Sequence, residues 1–322
     1  MNERGRRVGH MSLLFGSLLA ASAGAPFGVL FGVSLGLGDA LFAQDVGAVP
    51  TRVAVAQADL SGRVSVAREF DESAGRICRG SLHDDSTAAH AVVTLMRVLP
   101  DVSWNAVQLM RLPTNVAPLT HAAVSTIGED DPMIYWRPPL RASELLHELV
   151  HAWQAAQSDA AFATLLGRLA DRDAHGGFDA DVVNQATSSV VLSLTLYSGN
   201  ESARMQQLVD RAVTVKAADP GSLARRADLL IAVVSGDGWS DTRRQLARGL
   251  STRSADTDPG RTWAEWLRAL MLTEAQAYEA QARCEHGARV GDWLPDAVVQ
   301  PARALAASSR PHADRGVLGA PR

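Results

Sequence analysis

The spacing of apolar and polar residues predicts strands in the first part of the chain and helices in the second part. Short β-prone runs separated by turn residues come first, together with one stretch of helical spacing at residues 84–98. From residue 142 onward the spacing is that of amphipathic helices. This order predicts an α+β fold that is mostly helical, with a small N-terminal sheet. The predicted strands are Arg52–Gln57, Arg63–Phe70, Ala122–Ile127 and Met133–Arg137.

The last two predicted strands form a hairpin. The turn-forming residues Gly128–Pro132 separate them, and two prolines at 138–139 end the second strand. A strongly amphipathic helix then begins at Ala142, and Ser143 is its candidate N-cap.

The region that follows this helix is predicted to be a helical insertion, about residues 158–250. Pairs of helix-breaking residues divide it into several helices, and a last long helix is predicted over Thr262–Glu285. The breaks fall at Gly176-Gly177, Gly199-Asn200, Pro220-Gly221 and Gly236–Gly238.

Composition narrows the class of protein. The chain has 322 residues, of which 47% are hydrophobic and 20% charged, and its formal net charge is −4. It is too apolar for a disordered protein and lacks the basic excess typical of nucleic-acid binding, so we expect no nucleic-acid partner. Cys78 and Cys284 are too few for a disulfide scaffold; they can form one bridge in an exported protein, and the sequence leaves their pairing open.

The N-terminus has the pattern of an export leader or a membrane anchor. Three arginines among the first ten residues precede an uncharged stretch, Met11–Gly38, which exceeds the about 20 residues that a membrane span needs. A cleaved signal makes the protein periplasmic or secreted, whereas a retained anchor gives membrane association through residues 11–38 with the domain outside the cytoplasm. We assign residues 1–44 to this leader, 45–300 to one domain and 301–322 to a flexible tail.

The helix that begins at Ala142 carries a candidate metal site. His147 and His151 are one helical turn apart, so their imidazoles can bind one metal ion, and Glu148 beside them can accept a proton from water on that ion. The opposite face is apolar and suited to burial. The alternative is a surface helix whose histidines are merely solvated. The apolar face consists of Leu145, Leu146, Leu149, Val150 and Trp153.

The segment His147–His151, followed by Trp153 and Gln154, resembles the His-Glu-x-x-His helix of the zincin metallopeptidases, in the form found in bacterial metallopeptidases and secreted effector proteases. The resemblance covers residues 120–156 and 262–285. It implies a zincin-like domain in which a sheet-edge strand precedes the helix. It also implies that the two histidines bind Zn²⁺ and that the glutamate between them, Glu148, is the catalytic base.

A catalytic zinc has three protein ligands, so one ligand must come from elsewhere in the chain. The metzincin spacing is excluded, because Gln154 and Gln157 stand where it needs glycine and histidine. No glutamate lies between His151 and Asn200, where a thermolysin-like ligand is expected. Glu274 falls within an apolar stripe of the last helix, where a carboxylate is costly unless a cation compensates it.

The run from Glu274 to Tyr278 is similar to a second element, Glu-x-x-Ala-Tyr, of gluzincin-like bacterial metallopeptidases, whose first glutamate binds the metal. Glu274 is therefore the candidate third ligand, and pairing with Arg268 is the explanation without a metal. Tyr278 is interpreted as core packing or as a donor to an oxyanion. The alternative ligands are Glu279, Asp171 and Asp173.

These residues predict zinc-dependent hydrolysis of a peptide bond, with Glu148 transferring a proton from water to the leaving amine. The strand Met133–Arg137, taken as an open sheet edge, would bind an extended peptide or protein substrate. Tyr135 and Trp136 alternate faces on this strand, so one is expected to contact the substrate and the other the core, and the sequence leaves open which does which. One alternative is a zincin-fold binding or effector protein with a degenerate or structural metal site. Another is an accidental motif in a membrane-anchored helical protein.

Overall fold

A computed structural model describes residues 51–54, 73–96, 99, 106–111, 122–125, 131–157, 159–196, 201–244, 259–289 and 294. These residues form helices for the most part, together with one sheet of four short strands and one of two, which confirms the α+β class. The predicted leader at 1–44, the predicted tail at 301–322 and the predicted strand Arg63–Phe70 lie outside the described residues.

The larger sheet contains both strands of the predicted hairpin. Strand β4 pairs antiparallel with β5, and Val124 lies opposite Ile134. On its other side β5 pairs parallel with β3, which pairs antiparallel with β1. The sheet order is therefore β1-β3-β5-β4. The strands are β1 (Thr51–Ala54), β3 (Ala106–Arg111), β4 (Ala122–Ser125) and β5 (Met133–Trp136), and the smaller sheet pairs β2 (Ser81–Leu82) with β6 (Leu140–Arg141).

The prediction that Met133–Arg137 is an open edge strand is wrong. Strand β5 is internal, because β3 occupies the side that the sequence left unpaired. Among the described strands, β4 lies at the sheet edge on the hairpin side. Tyr135 and Trp136 do not divide between substrate and core as expected, since both side chains are buried.

One helix covers the sheet and a second carries the candidate site. Helix α1 (Asp85–Met96), which confirms the helix predicted at 84–98, packs on β1 and β3. Helix α2 (Ala142–Ala155) packs on α1 and β4. Ser143 does not cap α2 as predicted. Instead Glu144, one turn into the helix, accepts a 2.7 Å hydrogen bond from the backbone N–H of Arg141, and the Ser143 hydroxyl donates to the Glu285 carboxylate.

Most of the other helices pack against one long helix. The predicted breaks at 176–177, 220–221 and 236–238 separate helices as expected, and Gly221 has the left-handed φ of 69° that favours glycine before α6. Helix α7 packs against α2, α3, α4 and α6. The helices are α3 (Asp159–Ala174), α4 (Ala180–Leu196), α5 (Glu201–Ala212), α6 (Ser222–Ser235) and α7 (Pro259–Glu285).

Cys78 and Cys284 meet and form a disulfide, with their Cα atoms 5.7 Å apart. The bridge joins a short helix at 73–78 to the last turn of α7, across 206 positions of sequence. It answers the pairing question that the sequence left open. Within the described part of the chain, no helix has the length and apolarity that a membrane crossing requires.

Candidate metal centre

Helix α2 is buried on nearly all sides, and this burial places both histidines in the interior. Consecutive residues from Ala142 to Gln154 are buried, and the side chains of His147 and His151 have no exposed surface. The apolar face predicted from the sequence is therefore only part of the buried surface of α2. The face that carries the histidines lies against α7, which contributes a buried carboxylate at Glu274.

The donor atoms of His147, His151 and Glu274 converge on one point. The two Nε2 atoms are 2.9 Å apart, His147 Nε2 is 3.6 Å from Glu274 Oε2, and His151 Nε2 is 3.6 Å from Glu274 Oε1. Bonds of about 2.0–2.1 Å to a tetrahedral ion place two donors about 3.3 Å apart, and the observed separations bracket that value. This buried group could hold a metal ion.

The alternative ligand Glu279 has other partners. Its carboxylate forms ion pairs with Arg172 of α3 and with Arg283 one turn along α7. Both of its oxygens accept hydrogen bonds from these guanidinium groups. Glu279 joins two helices and lies outside the converging group.

The two aspartate alternatives also lie outside the group. Both carboxylate oxygens of Asp173 accept backbone N–H bonds from Leu223 and Ala224, which begin α6. Asp171 is exposed on α3. Arg268, considered as a non-metal partner for Glu274, pairs with Asp228 instead.

The protonation states of His147 and Glu274 suit metal binding. Burial lowers the pKa of His147 to about 4, so its imidazole is neutral at physiological pH. Burial alone would raise the pKa of Glu274, but the adjacent His151 and His147 outweigh it and lower that pKa to about 2. A neutral imidazole and an ionised carboxylate are the forms in which these side chains bind a metal.

The carboxylate of Glu148, unlike that of Glu274, has no adjacent imidazole that offsets the effect of its burial on the pKa among the causes found for the described residues. Its side chain is fully buried, and neither carboxylate oxygen has a hydrogen-bond partner among the described residues. Burial and the nearby Glu274 and Glu144 raise its pKa well above the usual value. A buried carboxylate without a donor costs about 1–3 kcal/mol or more, so its presence here requires an explanation other than stability.

Tyr278 lies against the metal group as a packing residue. Its ring meets the His147 ring edge-on, with centroids 4.3 Å apart. Burial raises the pKa of the phenol well above 10, and the Ser189 hydroxyl of α4 is close enough to oppose that shift. This arrangement agrees with the core-packing interpretation of Tyr278.

Gln154 is a residue of the centre whose role the sequence analysis missed. Its side-chain oxygen lies 2.8 Å from His151 Nδ1, and its nitrogen donates to two acceptors on α7. The available signal was spacing, because a residue three positions after a histidine on a helix lies on the same face.

Comparison with known proteins gives no assignment. No protein-family model, curated protein or solved structure matches this chain. The functional conclusion therefore depends on the geometry of the centre and on the motif within α2.

Proposed function

We propose that this protein is a zinc-dependent peptidase in which Glu148 is the catalytic base. The observation that carries the proposal is the carboxylate of Glu148, which is buried without a hydrogen-bond partner among the described residues and lies beside three converging metal-binding side chains. A structural metal site needs no such group. A carboxylate beside the metal-binding side chains can accept a proton from water during hydrolysis.

His147, His151 and Glu274 are the residues that would hold the ion. Two imidazole nitrogens and one carboxylate oxygen form a donor set that zinc accepts in hydrolytic sites, with a fourth position left for water or substrate. When bound there, zinc supplies Lewis acidity, which lowers the pKa of water and polarises a carbonyl oxygen.

The protein's own contribution to the reaction is proton transfer in a dry environment. The raised pKa of Glu148 means that its carboxylate holds a proton readily once it has accepted one. The carboxylate accepts a proton from the attacking water and delivers it to the amine nitrogen of the cleaved bond. Burial of His147 and His151 excludes bulk water from the imidazole ligands.

The proposed substrate is an extended peptide or protein segment. Strand β4 lies at the sheet edge among the described strands and packs against α2, which carries the site. An added strand would hydrogen-bond to the outer side of β4, and this replaces β5 as the proposed binding edge. Because β4 packs against the helix that carries His147, a backbone bound along β4 would lie near the centre.

Export is part of the proposal. Disulfides persist mainly outside the cytoplasm, so the bridge between Cys78 and Cys284 supports the export suggested by the leader pattern at 1–44. We place the catalytic domain in the periplasm, in the medium or on the outer side of a membrane.

One observation favours a second candidate, a zincin-fold binding or effector protein with a structural metal. The three ligands and Glu148 have no exposed side-chain surface, as is usual for closed structural sites. In this case hydrolysis is absent and Glu148 is dispensable for the biological role.

The deciding experiment uses the purified full chain, its Glu148→Gln variant and a control, Glu265→Gln, at an exposed position of α7. Zinc content is measured by elemental analysis, and cleavage is followed by mass spectrometry on a mixed peptide library. We expect about one zinc per chain in all three proteins, with cleavage by the wild type and the control only.

Two results would overturn the proposal. A folded wild type that takes up no zinc removes the metal centre. Cleavage by Glu148→Gln at the wild-type rate removes the role of Glu148. Zinc uptake without cleavage by any of the three proteins favours the structural site.

A further inference from the structure

Gln154 links the two helices that supply the metal-binding side chains. It lies on α2, three residues after His151, and its side chain is buried. Its amide nitrogen donates to the backbone oxygen of Thr273 at 3.2 Å and to Gln276 Oε1 at 2.8 Å, both on α7. These two acceptors flank Glu274 in the sequence of α7.

The backbone of α7 fixes the orientation of the Gln154 amide. The Thr273 carbonyl oxygen can only accept a hydrogen bond, so the nitrogen of Gln154 must face it. The amide oxygen then faces the opposite way, toward His151 Nδ1 at 2.8 Å. Reversing the amide would place two acceptors against each other at Thr273.

The fixed amide in turn determines the tautomer of His151. Because the Gln154 oxygen can only accept, Nδ1 of His151 must carry the hydrogen. The lone pair is then on Nε2, and this atom lies 2.9 Å from His147 Nε2 and 3.6 Å from Glu274 Oε1. An imidazole binds a metal through such a nitrogen, so the amide prepares His151 as a ligand.

We propose that Gln154 is a positioning residue, oriented by the Thr273 carbonyl, that holds His151 in the Nδ1–H tautomer and so presents Nε2 to the metal. The proposal rests on the metal binding proposed above. The turn of α7 that carries Glu274 thereby also sets the tautomer of His151 on α2. Docking of α7 against α2 therefore prepares both Glu274 and His151 to bind the metal.

The first test is zinc affinity, measured by competition with a chromogenic chelator. The variants are Gln154→Leu, which removes the acceptor at nearly constant size, and Gln154→Glu, which keeps an acceptor for Nδ1–H but cannot donate to Thr273. Gln157→Leu is the matched control, because the side chain of Gln157 donates to the Trp153 carbonyl and has no hydrogen bond to a metal-binding residue among the described residues. Circular dichroism and thermal melting confirm that each variant is folded.

We expect Gln154→Leu to bind zinc about 10–100-fold more weakly than the wild type, as is typical when the hydrogen-bond partner of a ligand is lost. Gln154→Glu should bind zinc at least about tenfold more tightly than Gln154→Leu, and Gln157→Leu should bind zinc like the wild type. If Gln154 only joined α2 to α7, Gln154→Glu would fail as Gln154→Leu does, because neither donates to Thr273.

The second test needs no metal. Nitrogen-15 NMR of the imidazole rings in chelator-treated protein reports which nitrogen of His151 carries the hydrogen. We expect the Nδ1–H form in the wild type and a mixture or the Nε2–H form in Gln154→Leu. An Nε2–H form in the metal-free wild type overturns the inference, and so does full zinc affinity in Gln154→Leu. Absence of zinc binding by the wild type overturns the proposed function, while the NMR result still decides the inference.

Discussion

Glu274 and Glu279 lie five positions apart on α7, and both are buried, yet they face different partners. Glu274 lies 3.6 Å from each of two imidazole Nε2 atoms, whereas Glu279 pairs with the guanidinium groups of Arg172 and Arg283. One carboxylate is already compensated by protein cations. Among the described residues, the carboxylate of Glu274 faces two imidazoles, of which His147 is neutral at physiological pH because burial lowers its pKa to about 4.

This difference predicts opposite effects of one substitution at two positions. Glu274→Gln should lower zinc affinity by more than the about 100-fold typical of losing a supporting residue, because it removes a ligand. Its fold should persist, since glutamine fills the same space. Zinc titration with a competing chelator measures the affinity, and circular dichroism checks the fold.

Glu279→Gln should leave zinc affinity unchanged and lower the free energy of unfolding by about 1–3 kcal/mol. The cause is that Arg172 and Arg283 lose a buried carboxylate that joins α3 to α7. Urea unfolding of the zinc-loaded protein measures this loss. Zinc loss in Glu279→Gln together with zinc retention in Glu274→Gln would exchange the two assignments.

We expect Glu148 to lower the stability of the protein while being required for its activity. Its carboxylate is buried without a hydrogen-bond donor among the described residues, so Glu148→Gln should stabilise the metal-free protein by about 1–3 kcal/mol at pH 8. The same variant should not cleave peptides. Urea unfolding in the presence of a chelator measures the stability, with Glu265→Gln as the control. A destabilised Glu148→Gln would mean that the carboxylate has a structural partner.

The sequence predicted the parts of the centre that depend on local spacing. His147 and His151 share a helix face because four residues make about one turn, and the burial of Glu274 followed from its place in an apolar stripe of α7. The hairpin of β4 and β5 was also local, since its strands are neighbours in the chain.

Contacts between distant segments were not predictable in this way. Strand β3 was not among the strands predicted from the sequence, and it pairs with β5 although β4 lies between them in the chain, so the sheet edge was assigned wrongly. The bond between Gln154 and Thr273 joins residues 119 positions apart. Nothing in the neighbourhood of either residue indicates its partner.

We expect the disulfide between Cys78 and Cys284 to contribute strongly to the free energy of unfolding. It closes a loop of 206 positions, and a bridge across a loop of that length is expected to stabilise a domain by about 3–5 kcal/mol. Replacing Cys78 and Cys284 together by serine should lower the free energy of unfolding by this amount, measured with urea. A reductant should destabilise the wild type similarly and leave the double variant unchanged; equal stability of the oxidised and reduced wild type would contradict this.

Because the pKa of Glu144 is raised in the folded state, we expect the free energy of unfolding to fall as the pH rises. Its carboxylate is buried beside Glu285, and burial raises its pKa from the usual 4.5 to about 7, against the opposing bond from the Arg141 N–H. The folded state therefore binds a proton that the unfolded state has released between pH 4.5 and 7. This stabilisation is complete below pH 4.5 and is lost as the pH rises through 7.

Glu144→Gln should remove this pH dependence, because glutamine keeps the acceptor oxygen for Arg141 and does not ionise. At about 1.4 kcal/mol per pKa unit, the wild type should lose roughly 2–3 kcal/mol relative to the variant between pH 4.5 and 8. Urea unfolding of both proteins at several pH values measures the difference between their free energies of unfolding. Both proteins carry Glu148→Gln in this comparison, because Glu144 contributes to the raised pKa of Glu148. Parallel pH curves would then show that the carboxylate of Glu144 has a normal pKa in the folded state.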